Sequence, residues 1–264
     1  MLIRSWNLFH GNTVPPQRRA YLDEMIRLAT ADDPDVLCVQ EVPAWALSRF
    51  TVGDVAARPA LGPVPISRSI GGRLTDLNHG KLRSLFAGQG NAIRLSERLR
   101  LLDHRVLTLN SLPFRRRQAR SLHLDLVARF AWAKERRIVQ ALRVAAQDGQ
   151  ELVVANLHCT SYRLDQRLAE AELLRAAWFA VSIARPEDVV VLAGDFNVSE
   201  LKSQTLRDLT GPEWGFSAAG PGIDHILVRG APVSPTRRWD DERRAYGTVL
   251  LSDHAPIELD LMGG

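Results

Sequence analysis

Cysteine is nearly absent from this chain of 264 residues: Cys38 and Cys159 are the only two. Both lie inside apolar runs, which reads as buried, inert thiols and argues against a disulfide framework. No apolar run is long enough to span a bilayer as a helix. The N-terminal Met-Leu-Ile-Arg-Ser-Trp-Asn lacks the charged start, apolar stretch and cleavage site of a signal peptide, so a cytoplasmic location is expected. Glycine (18) and proline (14) are ordinary, which excludes collagen-like and low-complexity chains. Neither an HExxH run nor the cysteine–histidine spacing of a zinc site occurs. Lysine is scarce too, with Lys81, Lys134 and Lys202 the only three among 34 basic residues.

What is present suffices for a large core. The chain is 45% hydrophobic, long enough to need no staple, and shows no interdomain linker, so one domain over 1–264 is expected. A net charge of +4 permits a polyanionic partner without requiring one. Strands are expected at 1–9, 35–41, 82–86, 91–95, 105–109, 120–130, 137–146, 152–158, 188–194, 222–228 and 256–261. Helices are expected at 17–30, 43–50, 164–184 and 199–209, with loops at 53–65 and 67–81. In the helix at 164–184, Leu164, Leu168, Ala171, Leu174, Trp178 and Val181 fall on one face. Strands alternating with helices give the layered α/β class.

Polar residues interrupt the apolar runs at their ends: Asn7, Glu41, His158, Asp195 with Asn197, Asp224, and Asp253 with His254. Strand ends are where a layered α/β protein places chemistry on a rigid scaffold. Clustered carboxylates repel, and a divalent cation offsets that cost. Asn, Glu and Asp offer hard oxygen donors, which suit magnesium, or manganese in its place, over zinc. Two histidines and a further aspartate remain for proton management. Singly, each residue fits an ordinary turn, cap or core hydrogen bond. Six such sites in one chain point to an active site.

The segments Trp6-Asn7, Pro34 to Glu41, Gly90-Asn91-Ala92-Ile93, Asn156-Leu157-His158, Gly194-Asp195-Phe196-Asn197, Ile223 to Leu227 and Ser252-Asp253-His254-Ala255-Pro256 together resemble the endonuclease/exonuclease/phosphatase superfamily, which includes the deoxyribonuclease I-like enzymes. The resemblance runs from residue 6 to residue 256. It implies a four-layer α/β/β/α sandwich with two mixed β-sheets, and magnesium-dependent hydrolysis of a phosphate ester. It implies Glu41 as principal metal ligand, with Asn7 and Asp253 near the metal. Asp195 would orient or deprotonate the attacking water, and Asn197 would bind phosphate. His254 would be the essential histidine and Asp224 its carboxylate partner. His158 would protonate the leaving oxygen or bind a phosphoryl oxygen; no carboxylate partner for it is evident. Asn91 is a further expected substrate contact.

Nine basic residues between Pro113 and Arg143, against Asp125 and Glu135, make Arg115, Arg116 and Arg117 candidate phosphate contacts. A metal-dependent phosphodiesterase acting on nucleic acid, with DNA favoured, is therefore expected. A phospholipid or small phosphate ester is the alternative, with the apolar segment 59–66 as a candidate lipid contact. An inactive binding scaffold would have lost ligands, and none is lost.

Overall fold

The computed structural model describes residues 1–60, 62–63, 67–77, 86–217 and 220–262. In chain order its strands are Leu2–Asn7 (β1), Thr13–Val14 (β2), Val36–Pro43 (β3), Val52–Ala57 (β4), Gln89–Leu95 (β5), Leu99–Thr108 (β6), Ile138–Ala146 (β7), Glu151–His158 (β8), Val189–Asp195 (β9), Asp224–Arg229 (β10), Arg237–Arg238 (β11), Ala245–Tyr246 (β12), Val249–Leu251 (β13) and Ile257–Asp260 (β14). The α-helices are Leu22–Ala29 (α1), Arg68–Leu77 (α2), Leu112–Ser121 (α3), Leu126–Ala133 (α4), Arg167–Ile183 (α5) and Gln204–Leu209 (α6).

Besides a small sheet of order β12-β13-β2, one large sheet has the order β11-β14-β1-β3-β5-β4 and the other β10-β9-β8-β7-β6. Each large sheet is mixed: β1 with β3 and β8 with β9 are parallel, and their other pairings are antiparallel. Alternation along the strands builds the layers. Ile3, Cys38 and Ile93 of the first sheet pack with Leu152, Val154 and Val191 of the second, forming the central layer. Leu37 and Val39 turn the other way and pack on Leu22, Met25 and Ala29 of α1. Val153, Ala155 and Leu157 likewise pack on Leu173, Ala176 and Ala177 of α5. Sheets covered on both faces explain the near-continuous apolar runs. The expected α/β/β/α sandwich is what the chain forms.

A polar bridge crosses this apolar centre. Asn156 is fully buried; its Nδ2 donates to Val39 O (2.9 Å) and Ala92 O (2.8 Å), and its Oδ1 accepts from Gln40 Nε2 (2.8 Å). It fixes the sheets face to face beside the strand ends.

Several local expectations are corrected. The segment 120–130 is not a strand: α3 starts with a proline in its first turn, and the Asp125 side chain caps α4 by accepting from Ala128 N (2.7 Å). Val52–Ala57 is an edge strand on β5, not a loop, and Arg68–Leu77 is helical. The expected strand at 82–86 lies outside the described residues except for Phe86, which is helical. Of the apolar segment 59–66, residues 61 and 64–66 lie outside them as well. Helix α1 begins at Leu22 rather than 17, because the amides of Ala20 and Tyr21 bond Asp76 Oδ1 and Gly11 O instead of helical carbonyls. The inward face of α5 is Leu168, Ala169, Leu173, Ala176, Ala177 and Ala180, while Leu164, Leu174 and Trp178 are exposed. Small residues let the helix sit close on the sheet, and Trp178 turns outward to meet the Trp214 ring edge-on at 5.0 Å.

Candidate active site

The polar strand-end residues converge at one edge of the sandwich. Register places them there: Asn7 pairs with Gln40 across β1 and β3, and His158 pairs with Asp195, which pairs with Asp224, across β8, β9 and β10. The pairing of β3 with β5 shifts between Val39 and Val42, and within this bulge Glu41 takes a φ of +51°. Bulges re-aim side chains, and this one contributes Glu41 to the cavity lining. Gly194, before Asp195, has a φ of +146°; a Cβ there would sit 1.9 Å from Leu157 O, so only glycine lets β9 approach β8.

Asn7 lies buried beneath the site. Its Nδ2 donates to Asp195 Oδ2 (3.0 Å) and Glu41 Oε1 (3.3 Å), and its Oδ1 accepts from Phe9 N (3.0 Å). His254 Nδ1 bonds Asp224 Oδ2 at 2.8 Å, and its Nε2 lies 3.8 Å from Asp195 Oδ2 and 3.9 Å from Asp253 Oδ1. Its loop is pinned to β1: Ser252 Oγ donates to Asn7 O (2.7 Å) and accepts from His254 N (3.1 Å), while Trp6 Nε1 donates to His254 O (2.8 Å). Asn197 N donates to Asp195 Oδ1 (3.0 Å) and its Nδ2 to Cys159 O (3.0 Å).

Glu41, His158, Asp195, Asn197, Asp224, Asp253 and His254 all line one open cavity of about 610 Å³, with Arg163 and Arg238 among its cations. Four expected contacts are not brought there. Asn91 is buried between the sheets, with its Nδ2 donating to Ile138 O (3.3 Å). Arg115 and Arg116 line a separate groove, and Arg117 lines neither.

Two residues were missed in the sequence. His10 is buried, with its Nε2 3.2 Å from Glu41 Oε2; only its place just after a strand end hinted at it. Arg137, also buried, stands where a carboxylate partner for His158 was sought. Its Nη1 is 3.0 Å from His158 Nδ1, and its Nη2 is 2.7 Å from Glu135 Oε2. A guanidinium only donates, so the network assigns His158 Nδ1 as acceptor and leaves the proton on Nε2, 3.5 Å from Asp195 Oδ2.

The electrostatics follow from burial and neighbours. Burial pushes the Glu41 carboxyl up to about 7, against the attraction of Arg137 and with the repulsion of Asp195. Burial, then Asp224, also raises Asp195. Burial opposes charge on His254, but the Asp224 hydrogen bond and the Asp195 and Asp253 charges prevail and lift it to about 10. Burial and Arg137 hold His158 well below the usual imidazole range.

These residues fit a hard cation at Glu41, a half-buried oxygen donor whose negative charge the surrounding groups compensate incompletely. Asn7, as hydrogen-bonded, turns its amide nitrogen to the carboxylates and so orients them. Among the described residues the tight His and carboxylate cluster is instead Asp195, Asp224 and His254. There His254 Nδ1 is already committed to Asp224, which reads as a proton-handling pair.

The sequence profile of the Endonuclease/Exonuclease/phosphatase family matches residues 5–254. No curated protein sequence matches this one. Similar solved structures include a humanized D. rerio TDP2 carrying 14 mutations (TM-score 0.62, 16% identity, covering 98% of this chain and 97% of that one). An endonuclease/exonuclease/phosphatase from Bacteroides vulgatus is similar too (TM-score 0.63, 17% identity, 99% and 98%). So is the human Nocturnin catalytic domain with bound sulfate anion (TM-score 0.60, 16% identity, 99% and 93%).

Proposed function

Because this chain belongs to the Endonuclease/Exonuclease/phosphatase family and has its phosphoesterase fold, we propose that it is a metal-dependent phosphodiesterase whose first substrate class is DNA. The observation that carries this reading is the His254–Asp224 pair facing Asp195 across one open cavity. A divalent cation, magnesium or manganese, would be held at Glu41 with Asn7 and Asp253 nearby, and would supply neutralisation of charge on the phosphoryl oxygens.

The chain's own residues do the rest. His254, kept cationic by Asp224, binds a phosphoryl oxygen and stabilises its growing charge. Asp195 orients the attacking water and accepts its proton as the P–O bond to the leaving oxygen breaks, and that oxygen takes up a proton from the solvent that fills the open cavity. The raised proton affinity of Asp195, caused by burial and Asp224, suits it to that task. Asn7 Nδ2 and Asn197 N fix its two oxygens. Asn197 Nδ2 spends one hydrogen on Cys159 O and keeps one for phosphate. His158, neutral with its proton on Nε2, donates a hydrogen bond to a phosphoryl oxygen rather than acting as general acid. Arg163 and Arg238 at the cavity provide for the neighbouring phosphates of a polymer.

The test is nicking of supercoiled plasmid at low salt with magnesium or manganese, beside Glu41→Ala and an EDTA control. Nicking by the wild type alone supports the reading. A folded, cation-binding protein that leaves plasmid intact overturns the DNA assignment. The second reading, a phospholipid phosphohydrolase, is favoured by one observation: the apolar surface of α4, where Leu126, Val127 and Phe130 are all exposed.

A further inference from the structure

Helices α3 and α4 are inserted between β6 and β7. Thr108 pairs with Ile138, and Val139 with Leu157, so the insertion stands at the same edge as His158 and the candidate active site. It is firmly seated. Trp132 of α4 is buried, with its Nε1 donating to Glu172 Oε1 (2.6 Å), and the other Glu172 oxygen accepts from Thr160 N (2.6 Å), two residues beyond His158. Asn110 Nδ2 holds the end of α4 by donating to Trp132 O (3.1 Å) and Glu135 O (2.6 Å).

Two features of this helix pair are unused by the proposed chemistry. Between the helices runs a groove of about 430 Å³, walled by Arg115, Arg116, Arg120 and Arg129 over Leu112 and Trp132, with no carboxylate in its lining. Among the described residues, Arg115, Arg120 and Arg129 spend only Nε, on the carbonyls of Asn110, Arg116 and Leu124. Among the described residues none of the four forms an ion pair. The groove therefore presents several uncompensated guanidinium groups, which suits an anion such as a phosphate ester.

The second feature is the outer face of α4. Leu126, Val127 and Phe130 are 68%, 64% and 74% exposed and share one side of the helix by their spacing, opposite the buried Ala128 and Trp132. Arg129 lies one turn from Leu126, so the apolar face borders the arginine wall, and Lys134 follows Phe130 by one turn. Duplex DNA would engage the arginines and leave three large apolar side chains in water. A lipid interface meets both needs, with anionic headgroups above and acyl chains below.

We propose that the α3–α4 pair docks this protein on an anionic lipid bilayer, with a phosphorylated headgroup in the arginine groove and Leu126, Val127 and Phe130 entering the acyl boundary. As a statement about substrate it rests on the phospholipid reading above; the docking itself requires no turnover.

The experiment is flotation of the full chain with vesicles of phosphatidylcholine alone or mixed with phosphatidylglycerol, without added metal, so its outcome is independent of catalysis. The wild type is expected to float with the mixed vesicles and not with the neutral ones. Phe130→Glu, and separately Arg116→Glu with Arg120→Glu, should each weaken binding on the order of tenfold or more. Ile70→Glu, at an exposed position on α2, should leave it unchanged. Circular dichroism melts of each variant confirm folding. Absence of flotation overturns the proposal, as does flotation that Phe130→Glu leaves intact. Calorimetric binding of inorganic phosphate without vesicle binding would assign the groove to a free phosphate and overturn it. So would a gel shift of duplex DNA sensitive to the arginine reversal, or self-association abolished by Phe130→Glu, with vesicles unbound.

Discussion

Replacing Glu41 with glutamine should stabilise the metal-free protein at alkaline pH while abolishing its activity. Glu41 Oε1 accepts from Asn7 Nδ2 (3.3 Å) and Oε2 lies 3.2 Å from His10 Nε2, yet burial still pushes the carboxyl up to about 7 from an ordinary 4.5. Between those values the folded chain holds a proton that the unfolded chain has released. Stability therefore falls as pH rises through this window, and the full penalty applies above about 7. The interval corresponds to about 3 kcal/mol. The side chain keeps 19% exposure, so water screens part of the penalty and about 1–2 kcal/mol remains.

Glutamine carries no charge and escapes that penalty. In EDTA at about pH 8, Glu41→Gln should melt roughly 2–6 °C above the wild type, and the difference should shrink toward about pH 5. Magnesium should narrow or reverse the gap by raising the wild type alone, since a ligand that binds only the folded state stabilises it by mass action. Thermal melts by circular dichroism at both pH values, with EDTA and with magnesium, measure all of this. A glutamine variant that melts at or below the wild type in EDTA at the higher pH would refute the uncompensated buried charge. Equal magnesium responses would refute Glu41 as the cation holder.

The other predictions concern the groups around it. Asp195→Asn and His254→Ala should each abolish phosphodiester turnover, with far-ultraviolet circular dichroism unchanged; near-wild-type rates in either would remove the assigned roles. His254 titrates near 10, so its contribution to stability is complete below its ordinary 6.5 and is lost as pH rises through about 10. The alkaline limb of the pH–rate profile should sit correspondingly high, and Asp224→Asn should move it toward neutrality. Asn156→Leu should destabilise by about 2–4 kcal/mol in urea titrations, because it leaves Val39 O and Ala92 O buried without a donor.

The site was legible in the sequence where polar residues cut apolar runs, because a strand buried on both faces leaves no other reason for Asp195 or Asp224 at its end. The pairing of the sheets was less legible. Asn156 reads as part of a motif before His158, and only the fold shows that its amide spans from β8 to β3 and β5. The α3–α4 insertion was misread because Leu122 to Phe130 is rich in apolar residues that suit a strand. Pro113 and Asp125, both helix-start residues, carried the better signal. The face of α5 was misplaced because a helix apolar nearly all round has no single stripe to read, and packing chose its alanines. Arg137 is not legible beside His158 because a carboxylate is the usual partner of such a ring, whereas here a cation fixes the ring by donating to Nδ1.

At Glu41 and Asn197, and in the loops behind the cavity, the backbone leaves its ordinary regions. Non-glycine residues at positive φ include Phe9, His10, Glu41, Asn197 and Ser252, all at the cavity edge or in the loop behind it. Such a conformation costs about 1–2 kcal/mol per residue outside glycine, and persists only where neighbours over-determine it. Here the neighbours are on view. Ser252 is held through Asn7 O and His254 N, and its own carbonyl accepts from buried Arg244 Nη1 (2.8 Å). Asn197 is held through Asp195 and Cys159 O, and Glu41 sits in a bulge facing Asn7 and His10. Regular strands would send alternate side chains into the two packed layers, where a carboxylate has no place. The bulge at Glu41 and the turn at Asn197 just after β9 direct those two side chains to the cavity, and the hydrogen bonds that offset their strain, from Asn7 to Glu41 and from Asn197 to Asp195, also orient the reacting groups.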